Sequence, residues 1–99
     1  MSALERSKII SLVKPIADNA GKQTWEQLEL NEPTLLQVQQ FYDEQNKKGA
    51  LSAMGLLITL LTGVPREVVN KLAFTDYRDC EAFLLGFLNY SPTTGDGGM

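Results

Sequence analysis

Asn31-Glu32-Pro33-Thr34 is the stretch that divides this chain. Pro33 pushes the backbone of Glu32 out of the helical region, and Thr34 offers a side-chain oxygen to the free N–H groups of whatever helix follows. Downstream, Leu35, Val38, Phe41 and Tyr42 recur at three- and four-residue intervals, while Gln37, Gln39, Gln40, Asp43 and Glu44 take the remaining positions. That is the pattern of a helix with one apolar face. Its predicted end is Lys48-Gly49, where the cations meet the negative end of the helix dipole and glycine supplies a C-terminal cap.

Ala50 to Leu61 is apolar on nearly every side, as suits a helix packed between others, and Thr62-Gly63-Val64-Pro65 then turns the chain. Pro65 opens a short helix through Glu67, Val68, Val69 and Leu72. A second break is expected at Phe74-Thr75-Asp76, with Thr75 or Asp76 capping a last helix whose Phe83, Leu84, Phe87 and Leu88 form an inward stripe. After Tyr90, Ser-Pro-Thr-Thr-Gly-Asp-Gly-Gly-Met has nothing to bury, so its composition predicts a flexible tail.

Upstream of the boundary, Lys8 to Val13 is rich in branched residues and reads as a short strand that Lys14-Pro15 ends or edges. Asp18 to Lys22 carries turn formers, and Trp25, Leu28 and Leu30 follow among polar neighbours, which together make a hairpin with a long loop. A helix from Leu4 to Val13 is the competing reading, because short apolar runs suit either period. The fold class is therefore α+β, predominantly α, with a small N-terminal β-hairpin followed by about four short helices. Residues 1–90 read as a single domain and 91–99 as the tail.

Ninety-nine residues with 43% apolar and 21% charged side chains are enough for one core, yet such a chain buries only roughly 65% of its unfolded surface, so a homo-oligomer is expected. The formal net charge of -3 gives no electrostatic gain on phosphate backbones or anionic lipid, which argues against nucleic acid and membrane as partners. The uncharged run from Gly49 to Pro65 is too short and too glycine-rich to span a bilayer, which takes about 20 residues. With one cysteine and no signal-peptide pattern, the expected compartment is the cytoplasm.

The chain has no histidine, and Cys80 sits between Asp79 and Glu81, which disfavour a thiolate. The usual zinc and Ser-His or Cys-His systems are thus missing from the inventory, and no GxxxxGK[ST] pattern occurs. The carboxylates Asp43-Glu44 and Asp76, Asp79, Glu81 sit where a solvated face or a helix start explains them. No enzyme activity and no cofactor is expected. The segment Leu60 to Leu72 has the outline of a helix-turn-helix, which keeps a small acidic DNA-associated regulator as the alternative; with only Arg66, Asn70 and Lys71 to reach a duplex, that reading is poorly supplied with donors. What is abundant is Leu, Met and Phe on several amphipathic helices, material for a core and for a groove that takes a partner helix. The candidate partner-binding residues are Leu35, Val38, Phe41, Met54, Leu57 and Leu61.

The order Leu12-Val13-Lys14-Pro15-Ile16, Gly21-Lys22, Trp25-Glu26-Gln27-Leu28-Glu29-Leu30 and Glu32-Pro33-Thr34 resembles the opening of the small tail assembly chaperones of long-tailed bacteriophages. The likeness continues through the uncharged leucine-rich helix, the turn-helix Gly63-Val64-Pro65-Arg66-Glu67-Val68-Val69, the step from Leu72 to Asp76 and the closing Phe83-Leu84-Leu85-Gly86-Phe87-Leu88, spanning roughly residues 9 to 89. The resemblance implies a protein that binds the long, aggregation-prone tape measure protein in the cytoplasm of the bacterial host until tail tube protein polymerises around it. It further implies a frameshifted longer form of the chain as a companion.

Overall fold

The computed structural model describes residues 5–91. Its element order is β1 (Ser7–Ala17), β2 (Thr24–Asn31), α1 (Leu35–Lys48), α2 (Ala50–Thr62), α3 (Arg66–Val69) and α4 (Phe74–Leu88). The expected α+β class, a hairpin followed by four helices, is what forms. The tail expected from residue 91 onward lies, from residue 92, outside the described residues, as does Leu4 at the start of the competing helix.

Between those two readings of the N-terminal segment, the strand forms. Ile10, Leu12 and Ile16 are buried while Ile9, Ser11 and Val13 are exposed, so burial follows the two-residue period of a strand with one wet face. β2 pairs with it antiparallel, Ser7 opposite Asn31 and Ile10 opposite Leu28, and adds Leu28 and Leu30 to the same apolar face. Asp18 organises the connecting loop: its carboxylate accepts the Lys22 N–H at 2.9 Å, and its carbonyl accepts the Gly21 N–H at 3.0 Å.

Of the two roles expected for Lys14-Pro15, an end or an edge, the end does not form, since β1 continues through both to Ala17 as one strand of a two-stranded sheet. Between the Ser11–Gln27 and Ile16–Trp25 pairs, β1 carries Leu12, Val13, Lys14 and Pro15 against the single Glu26 of β2. This irregularity takes Pro15 out of the regular ladder, where its missing N–H would cost a bond. It also turns two backbone donors away from β2. The Val13 and Lys14 N–H groups donate at 3.0 and 3.1 Å to the two carboxylate oxygens of Asp76, a fully buried residue in the first turn of α4.

The N-terminus of α4 is corrected accordingly. The chain breaks at Leu72-Ala73, and Ala73 is the N-cap, contributing no side-chain bond. Neither Thr75 nor Asp76 caps the helix. Asp76 sits within the first turn, where the dipole favours a negative charge, and its oxygens serve the strand.

Around Thr34 the outcome follows the sequence closely. Its hydroxyl accepts the Gln37 N–H at 3.2 Å, and the Gln37 side chain accepts the Thr34 N–H at 2.9 Å, a reciprocal capping box. Thr34→Ala is expected to cost about 1 kcal/mol, read as a lower urea midpoint with an unchanged slope. Gly49, at φ +99°, ends α1 and starts α2 as the single residue between them, a conformation that side-chain-bearing residues rarely adopt. α2 then buries Ala53, Met54, Leu57 and Ile58, and with the hairpin, Phe41, Val64, Val68, Val69, Cys80 and Leu84 it forms one apolar core.

Candidate partner-binding surface

Among the described residues, no group of three His, Cys, Asp or Glu side chains converges as a metal site would require. Among the described residues, too, no helix is long and apolar enough to cross a membrane. Cys80 is fully buried, and burial, with Asp79 and Asp76 nearby, pushes its thiol up to about 12, far from nucleophile chemistry at neutral pH. Tyr77 is likewise raised to about 12, by burial and by the neighbouring Glu81. These groups are held neutral by their surroundings.

Several large apolar side chains stand exposed among the polar residues of the surface. The six candidate residues divide between core and surface. Phe41, Met54 and Leu57 lie in the core at 5%, 2% and 0% exposure, so a partner reaches them only if the core opens. Val38 and Leu61 are half-buried, and Leu35, on the first turn of α1, is 86% exposed. The reason lies in α1 itself, where Phe41 is the one buried residue of fourteen. Leu35, Val38 and Tyr42, at i, i+3 and i+7, continue the same apolar stripe away from the core, and Tyr42 leans edge-on against Phe41 with ring centroids 5.1 Å apart.

Other exposed apolar residues went unnoticed in the sequence. Leu36 is the immediate neighbour of Leu35, and two consecutive helical leucines point about 100° apart, a signal that both cannot serve one core face. Leu51 and Phe74 also stand largely exposed and flank a groove of about 180 Å³, whose walls include Leu72 and Tyr77. Phe74 stacks on Tyr77 at 5.6 Å, with the Arg78 guanidinium 5.7 Å above its ring. Nothing in the periodicity of α4 separates these outward aromatics from inward ones.

Residues 9–89 match the family described as "Phage tail assembly chaperone proteins, E, or 41 or 14". The chain belongs to that family. No curated protein and no solved structure matches it. The matched range holds the hairpin from Ile9 onward and all four helices, so family membership covers the surface just described.

In this tail assembly chaperone the segment with a helix-turn-helix outline serves the protein's own interior. The helix expected from Arg66 to Leu72 is a single turn, Arg66–Val69, too short to reach along a groove. Arg66 turns inward and donates to the Ser52 carbonyl at 2.9 Å and the Ser52 hydroxyl at 3.1 Å. That hydroxyl donates in turn to Glu44 at 2.6 Å, which holds the Glu44 carboxyl below its ordinary pKa, with nearby Lys48, Arg66 and Lys47 assisting and partial desolvation opposing. The chain of bonds joins α1, α2 and α3. Gly55 leaves room for it, since a β-carbon there would lie 3.0 Å from Arg66 Nε. Lys71 is also engaged, donating to the Ala17 carbonyl at 3.0 Å and Asn19 Oδ1 at 2.9 Å. Two of the three side chains that a duplex would need are thereby occupied.

Proposed function

We propose that this chain is a non-enzymatic chaperone that binds the tape measure protein in the host cytoplasm and keeps it soluble until tail tube protein polymerises around it. Beyond family membership, the observation that supports this is the apolar side of α1, where exposed Leu35 and Tyr42 line up with half-buried Val38. An amphipathic helix laid on that side would bury apolar area worth roughly 25 cal/mol per Å². The partner surface proposed here consists of Leu35, Val38 and Leu61 from the six candidates, extended by Tyr42 and Leu36. Phe41, Met54 and Leu57 support that surface from beneath.

A homo-oligomer and a complex with a frameshifted longer form are parts of the same proposal, and each adds apolar cover to a domain of this size. The test is co-expression with the tape measure protein, followed by size-exclusion chromatography with light scattering. A soluble complex whose mass accounts for both chains is the expected result. A tape measure protein that stays insoluble, with this chain eluting alone, would sink the reading. The complex is expected to keep most of its affinity between 50 and 200 mM salt, on the order of the range over which phosphate contacts lose affinity steeply.

A further inference from the structure

α4 is held differently from every other helix. Its fully inward line is Asp76, Cys80 and Leu84, so one of three buried positions is a carboxylate, one a small thiol, and only one a large apolar side chain. β1 is the element with which α4 shares its extensive contact, whereas α2 packs on α1, β2 and α3 together. Both flanks of α4 are open. A groove of about 430 Å³ separates it from the β1 edge between Lys8–Ser11 and Asp79, Ala82 and Phe83. The groove of about 180 Å³ at Leu51 and Gly55 separates its first turns from α2. A helix bordered by two clefts, clasped at its N-terminal end by Asp76 and seated on the core by Cys80 and Leu84 with Tyr77, Phe83 and Leu88 only half-buried, has the features of a unit less stable than the rest of the fold.

We infer that α4 is a detachable strap: it leaves β1 as a unit ahead of global unfolding, and the apolar bed it uncovers takes an amphipathic helix of the partner in its place. The bed is the part of β1 on which α4 packs, whose inward residues are Ile10 and Leu12, and its fitness for an amphipathic helix is visible in the helix already seated there. The clasp between Asp76 and the Val13 and Lys14 N–H groups sets how often the strap lifts, because those two donors lose their protein partner when it does. The strap lowers the partner's apparent affinity by the fraction of time it is closed. The second half of this inference rests on the chaperone reading above; the first half does not.

Cys80 is the natural reporter, since it is the chain's single cysteine, lies on the inward line of α4 and is fully buried when the strap is down. The experiment is thiol labelling of the intact protein with an aromatic disulfide reagent across low urea, against global unfolding followed by circular dichroism. Labelling about tenfold or more faster than the global unfolding equilibrium allows, with a much weaker urea dependence, is expected for a strap. Labelling that follows the global free energy and its full slope would overturn it. The partner half is read with Asp76→Asn, which keeps the shape but loses one acceptor. Its affinity for the tape measure protein should rise by the same factor as its labelling rate, and faster labelling with unchanged affinity would show that α4 does not cover the binding bed. If the wild-type chain binds no tape measure protein at all, the chaperone reading and the partner half fall together, and the thiol kinetics still decide whether the strap opens.

Discussion

Replacing Asp76 by alanine is expected to lower the unfolding free energy by about 3–5 kcal/mol, the largest loss of stability from any single polar side chain in this protein. The argument starts from two backbone N–H groups, Val13 and Lys14, that the irregularity in β1 turns away from β2. Each donates to a charged acceptor, a stronger class of hydrogen bond, and the carboxylate that receives them is fully buried. Alanine removes both acceptors at once and leaves two donors without a protein partner. Because domains of this kind are stable by only about 5–15 kcal/mol, the variant should melt more than about 12 °C lower. Asp76→Asn should fall between, since its amide keeps one acceptor and turns an N–H₂ toward the other donor. Urea titration of the three proteins checks the order, and an Asp76→Ala loss below about 1 kcal/mol would show that the clasp contributes little.

The second large effect is on binding. The double variant Leu35→Asp/Tyr42→Asp is expected to stay folded and to lose the tape measure protein from the co-expressed complex, a drop of at least about 1,000-fold in affinity. Two apolar side chains that each contribute roughly 1.5–3 kcal/mol on burial are lost, and two carboxylates would have to be desolvated in their place. Leu35 is 86% and Tyr42 46% exposed, so the free protein has little reason to unfold. Phe41→Asp or Leu57→Asp makes the contrast, for at 5% and 0% exposure each places a charge in the core and is expected to unfold the chain. Circular dichroism separates the two pairs. A folded double variant that still co-purifies with the tape measure protein would move the binding surface away from α1.

The two experiments bear on different parts of one structure. Asp76 joins α4 to the hairpin, whereas Leu35 and Tyr42 lie on α1, which packs chiefly on α2. If α4 lifts as a strap, Asp76 acts on binding through how often the inner face of β1 is uncovered, and the α1 surface acts directly.

Local chemistry alone determined the boundaries of α1 and α2 and the start of α3. Pro33-Thr34 marks the start of α1, and Lys48-Gly49 its end, because a proline, a hydroxyl cap and a left-handed glycine act within three or four residues of themselves. The same holds for α2 and its exit through Gly63 to Pro65, and the order of these features carried the resemblance to tail assembly chaperones. What the sequence left open were matters of direction. Strand or helix from residue 4 to 13 was settled by β2, whose Leu28 and Leu30 give Ile10 and Leu12 a sheet face to join. Asp76 has the local look of a cap, and only the donors of β1, more than sixty residues away, made it a clasp. Phe41 and Leu35 sit on one amphipathic helix and belong to one periodic pattern, yet one is buried and the other is not. Periodicity fixes which residues share a helix face, but the position of the neighbouring helix decides which part of that face is covered.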